Sequence, residues 1–229
     1  METLIESARA FRKKYPITPA TACTALSDYT DNRGRTIWFN SRYYRANVLW
    51  EGDRMGIRDI HLFDENVESY YLRNVCTSNE CIYMTLPIVD GCLWSTADNM
   101  ASLRFYAVEA AGGLRELKGG EPVIVQAKEG MNVRWPLKGD DGEICLQMTA
   151  GLFTAFCTNK SLAWCMQLNV QPEAKLPFQT IDDKALTATQ ESHPYHLSLD
   201  RGTFKDLRQK PGLVFSILPE KGKVSMKMK

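Results

Sequence analysis

The chain has 229 residues, 44% of them hydrophobic and 24% charged, and its 28 basic and 27 acidic residues leave a formal charge of +1. These are the proportions of an ordinary globular chain with room for a large core. They exclude the strong one-sign field that steers proteins to nucleic acid or an anionic membrane, and no apolar run reaches the roughly 18 residues of a transmembrane helix.

At the N-terminus, Leu4, Ile5, Ala8 and Phe11 form one helical stripe, which Pro16 and Pro19 end. This predicts a short helix within residues 1–16, packed on the rest of the fold. Glu2, Glu6, Arg9, Arg12, Lys13 and Lys14 interrupt the segment, so it does not read as a signal peptide.

From residue 36 onward the pattern is that of strands. Thr36–Phe39 follows the turn Asp31-Asn32-Arg33-Gly34, and Tyr43–Trp50 is joined through Glu51-Gly52-Asp53 to Met55–Phe63 as a predicted hairpin. Further strands are predicted at 81–88, 91–95, 102–108, 122–128, 132–135, 143–149, 153–157, 162–170, 185–189, 195–199, 213–218 and 223–228. Gly- and Asp-rich turns such as Gly139-Asp140-Asp141-Gly142 and Pro219-Glu220-Lys221-Gly222 separate several of them. Many short strands at spacings of about 8 to 12 residues imply a sandwich or barrel and not βαβ units. The expected fold is all-β: one antiparallel β-sandwich domain over residues 1–229, of the large jelly-roll or super-sandwich type. Residues 171–177 are the best linker candidate.

The seven cysteines, Cys23, Cys76, Cys81, Cys92, Cys145, Cys157 and Cys165, are odd in number and include no CxxC pair. Most sit in apolar runs and are expected to be buried thiols, which favours a cytoplasmic location. Cys76 and Cys81 flank a polar run and could close a loop disulfide in an oxidising compartment.

Arg58 to Glu65 is the segment richest in chemistry. As a continuous strand it would place Ile57, Asp59, His61 and Phe63 on one inward face. A carboxylate beside an imidazole orients it for acid–base work. Asp64 and Glu65 follow at once, with Asp53 and Glu68 close by, so the candidate catalytic residues are Asp59, His61, Asp64 and Glu65. Each of these also has a structural reading, as a paired buried group or a wet loop acid.

The other histidines, His193 and His196, are separated by Pro194 in an extended segment. They lack the helical spacing and companion Glu of a zinc motif, so no metal or cofactor is assigned. For ligand binding, aromatic rings beside polar turns suit sugar rings: Trp50 and Trp94 at strand ends, the pair Tyr70 and Tyr71, and Asp53. Aromatic residues are also ordinary sheet core.

Three readings fit these residues. The first is a β-sandwich module that binds carbohydrate or takes part in processing it, within a larger enzyme or alone. The second is a self-contained hydrolase or lyase using Asp59 and His61. The third is a protein-interaction or structural sandwich without a small ligand. No nucleic-acid partner and no membrane is expected.

Overall fold

The computed structural model describes residues 2–27, 34–68, 70–77, 85–127 and 129–229. Among them are eighteen strands, one α-helix and one 3-10 turn. All strand pairings are antiparallel, in two sheets.

The ten-stranded sheet runs β1 (Thr21–Ala25), β2 (Gly34–Asn40), β3 (Tyr44–Glu51), β4 (Arg54–Leu62), β6 (Ser102–Val108), β12 (Trp164–Asn169), β17 (Leu213–Leu218) and β16 (Thr203–Asp206). Off this path, β5 (Leu86–Asp90) pairs with β4 and β7 (Leu114–Glu116) with β6. The eight-stranded sheet runs β13 (Phe178–Ile181), β14 (Ala185–Gln190), β15 (His193–Arg201), β18 (Lys223–Lys227), β11 (Leu152–Cys157), β10 (Glu143–Thr149), β9 (Gly130–Pro136) and β8 (Val123–Ala127).

Period-two alternation gives each sheet one apolar face. In β3, Tyr44, Ala46, Val48 and Trp50 are buried on one face, while Arg45 and Leu49 on the other are half-buried. The apolar faces of both sheets contribute to one hydrophobic cluster, each large side chain in it worth about 1.5–3 kcal/mol of burial. Phe105 and Trp135, from different sheets, stand 6.2 Å apart between ring centroids. The buried Tyr195 hydroxyl donates to the Pro87 carbonyl at 2.8 Å, tying β15 to β5.

The predicted hairpin is present as β3–β4. Gly52, at φ +60°, supplies the left-handed residue its two-residue turn requires, and Trp50 faces Met55 across it. Residues 91–95, expected as a strand, form a turn instead, because Asp90 captures the backbone N–H groups of Cys92 and Leu93 at 2.8 and 2.7 Å. Strands β1, β7, β13 and β16 are additions to the sequence reading.

Helix α1 (Leu4–Lys14) forms as predicted, started by a capping box between Thr3 and Glu6. Its expected packing against the sheets is not found: it has no buried residue, and Leu4, Ile5 and Phe11 are exposed. The thiol expectation also needs correction. Cys145, Cys157 and Cys165 are buried, but Cys23, Cys76 and Cys92 are exposed. Cys81, the first residues of the strand predicted at 81–88, and the predicted turn residues Asp31 to Arg33 lie outside the described residues, as does the Tyr70 side chain.

Candidate functional site

Strand β4 changes partner along its length. Gly56 and Ile57 pair with β6, whereas Asp59 to Leu62 pair with β5. At the changeover the β3–β4 ladder slips by one residue: Val48 faces Ile57, Asn47 faces Asp59, and Arg58 is the extra residue of a β-bulge. A bulge inverts the alternation. Ile60 and Leu62 therefore join Ile57 on the core face, and Asp59 and His61 are turned to the opposite face, with Asn47 and Arg45 as cross-strand neighbours. This overturns the expected shared face of Ile57, Asp59, His61 and Phe63. Phe63 lies beyond the strand and is 42% exposed.

Although they face away from the core, Asp59 and His61 are each only 3% exposed and Asp90 is 2% exposed. His61 Nε2 stands 3.7 Å from Asp59 Oδ1 and 3.6 Å from Asp90 Oδ2, too far for hydrogen bonds. Asp59 Oδ1 accepts from Gly91 N at 3.2 Å, and Asp90 spends its Oδ1 on the turn that follows it. Two guanidinium groups border the cluster. Arg58 Nε lies 3.3 Å from Asp59 Oδ2 without hydrogen-bond geometry, and Arg45, stacked over Trp38 at 5.5 Å, places Nη2 3.5 Å from His61 Nδ1.

Burial pushes the Asp59 carboxyl above the usual carboxylate range, although Arg58 opposes the shift. Burial, reinforced by Arg45, pushes the His61 imidazole down to about 4, against the pull of Asp90. Five buried polar atoms here have no hydrogen-bond partner: Asn47 Oδ1, Asp59 Oδ2, His61 Nε2, Arg45 Nε and Arg58 Nε. Among the described residues, Asp59, His61 and Asp90 are the group whose donor atoms have the mutual spacing of metal ligands, all within 4.8 Å. His193 and His196 do not join it.

Asp64 and Glu65 are elsewhere. They line a cleft of about 650 Å³ where the end of β4 meets β15 and β18, together with Arg42, Tyr43, Phe63, Asn66, Tyr195, His196 and Lys229. Asp64 Oδ1 accepts from both the backbone N–H and the side-chain amide of Asn66, at 2.8 and 2.9 Å. The Arg42 guanidinium bonds Glu65 at 2.9 Å and holds its carboxyl below the usual range, so Glu65 is ionised at neutral pH. The four candidate catalytic residues thus divide into a buried pair and a cleft pair. Asp59 and His61 line neither this cleft nor the second groove, of about 360 Å³, which runs along Gly56, Arg54, Arg58, Arg104 and Glu116.

The aromatic candidates fare differently. Trp50 and Trp94 are both 3% exposed and belong to the core, Trp94 edge-on to Phe178 at 5.7 Å. Asp53 sits in the hairpin turn, paired with Lys118 at 2.9 Å, and lines the second groove. Tyr71 is exposed in the 3-10 turn Tyr70–Leu72. The sequence reading missed Asp90, which no local motif announces, and Tyr43 and His196 as cleft residues. No family model, curated protein or solved structure matches this chain.

Proposed function

We propose that the chain is a β-sandwich module that binds a neutral carbohydrate in the cleft between β4, β15 and β18. One observation carries this reading: the cleft sets the exposed ring of Phe63 beside Asp64, Glu65, Asn66 and His196, while the half-buried Tyr43 ring beside it carries Arg42 and Lys229 over it at 5.8 and 5.4 Å. An apolar ring face suits the C–H face of a pyranose, and ionised carboxylates and amides suit its hydroxyls. Arg42 and Lys229 balance Asp64 and Glu65 in charge, which favours an uncharged ligand. The volume lies within the roughly 300–1,000 Å³ of small-molecule sites.

Binding is favoured over catalysis by the state of the acids. Glu65 is fixed as an anion by Arg42 and serves as a hydroxyl acceptor, and Asp59 and His61 are closed off from the cleft. The test is a glycan-array screen followed by thermal shift with the saccharides it returns. A bound saccharide raises the melting temperature. Phe63→Ala, which removes an exposed side chain, should weaken that binding about tenfold, the scale of one aromatic contact. Failure of any saccharide to bind, or binding untouched by Phe63→Ala, rejects the reading.

A further inference from the structure

We infer that Asp59, His61 and Asp90 form a binding site for one divalent transition-metal ion, zinc or manganese by ligand type. The inference stands on the buried cluster and not on the carbohydrate cleft.

The distances fit an ion better than they fit direct contact. Ligand bonds of about 2.0–2.2 Å separate neighbouring donor atoms by about 3.0–3.6 Å. His61 Nε2 lies 3.6 and 3.7 Å from the two carboxylate oxygens, beyond hydrogen bonding and close to that polyhedron edge. His61 Nε2 has no hydrogen-bond partner although its side chain is only 4% exposed, and Asp59 Oδ2 has none either, facing Arg58 Nε at 3.3 Å. Asn47, directly across from Asp59, adds a third unpartnered atom, Oδ1. Its orientation is fixed because its amide nitrogen donates to Thr36 Oγ1 and to the Ile37 carbonyl. Arg45 and Arg58 bring positive charge to the cluster without completing its hydrogen bonds, and an ion among the three ligand atoms would satisfy the acceptors that they leave open.

The surroundings can adapt to the ion. Ligation through Nε2 leaves the ring proton on Nδ1, which now faces Arg45 Nη2 at 3.5 Å, so Arg45 has to move aside. Arg58, with 35% of its side chain exposed, turns toward solvent when an ion takes its place at Asp59. Arg45 withdraws onto Trp38, which it already covers. One imidazole and two carboxylates suit zinc or manganese, whereas calcium takes six to eight oxygens.

The protein, freed of metal with EDTA, is titrated calorimetrically with Zn²⁺, Mn²⁺ and Ca²⁺. The expected result is one site per chain for Zn²⁺ or Mn²⁺, with a raised melting temperature. Asp90→Asn and His61→Gln should weaken it about 100-fold or more, since they remove ligands and not only outer partners. The double variant His193→Gln/His196→Gln should bind as the parent does.

Because the buried variants can lose their fold, imidazole ¹⁵N spectra of the parent protein give a second readout. A metal-induced shift of His61 Nε2 is expected. Absence of one-to-one binding, or shifts at His193 and His196 with His61 unmoved, overturns the inference.

Discussion

A Cβ atom on Gly91 would stand 2.3 Å from Cγ of Arg58 and 2.9 Å from the Arg58 carbonyl oxygen. The bulge of β4 and the turn after β5 are therefore fitted to each other at a point where only glycine fits. Through that contact Gly91 N reaches Asp59, and Asp90 is held beside His61. Gly91→Ala must push the bulge away and should lower stability by about 1–3 kcal/mol, the usual range for overpacking. Urea denaturation measures this, and an unchanged midpoint would show that the two segments do not depend on each other.

Trp50 and Trp94 are core residues, so Trp50→Ala and Trp94→Ala should each cost about 3–5 kcal/mol of stability. Saccharide binding by whatever fraction stays folded should be unaffected. Equilibrium unfolding and binding isotherms separate the two effects. Loss of binding at full stability would instead place a tryptophan in the binding surface.

How much of this was legible in the sequence depends on whether the signal was local. The β3–β4 hairpin was, because Glu51-Gly52-Asp53 sits between two apolar, aromatic-rich runs and Gly52 takes the φ its turn needs. The nearness of Asp59 and His61 was legible too, since residues two apart on a strand lie side by side. Their face was not. The bulge at Arg58 lies where β4 changes partner from β6 to β5, a pairing made 24 to 31 residues away in sequence, and it reverses the alternation. Asp90 was invisible for the same reason. Trp50 misled because it ends a strand next to a polar turn, yet it points to the core face along with Val48. The apolar stripe of α1 is real as a pattern, but none of its residues is buried against the described chain.

Thiol reactivity should follow burial. Burial pushes Cys145 and Cys165 up to about 11 and raises Cys157, so at pH 8 all three are protonated as well as shielded. Brief alkylation at pH 8 should label exposed Cys23 and Cys92 and leave the buried three unlabelled until the chain unfolds. Peptide mapping after brief alkylation shows which residues react. Early labelling of Cys165 would contradict the placement of β12.

Deleting residues 2–14 should change stability by less than about 0.5 kcal/mol, the scale of substitutions away from structural features, because no residue of α1 is buried. Thermal unfolding of the shortened chain tests this. A large fall in melting temperature would reveal a contact of the helix with the sheets.

The proposed carbohydrate site is the cleft between β4, β15 and β18. Its most direct test is a backbone NMR titration with a saccharide that raises the melting temperature. Chemical-shift changes should concentrate at residues 62–66 and 194–196, around Phe63, Asp64, Glu65 and His196. Changes confined to the groove along Gly56, Arg104 and Glu116, with Phe63 and His196 unmoved, would contradict it.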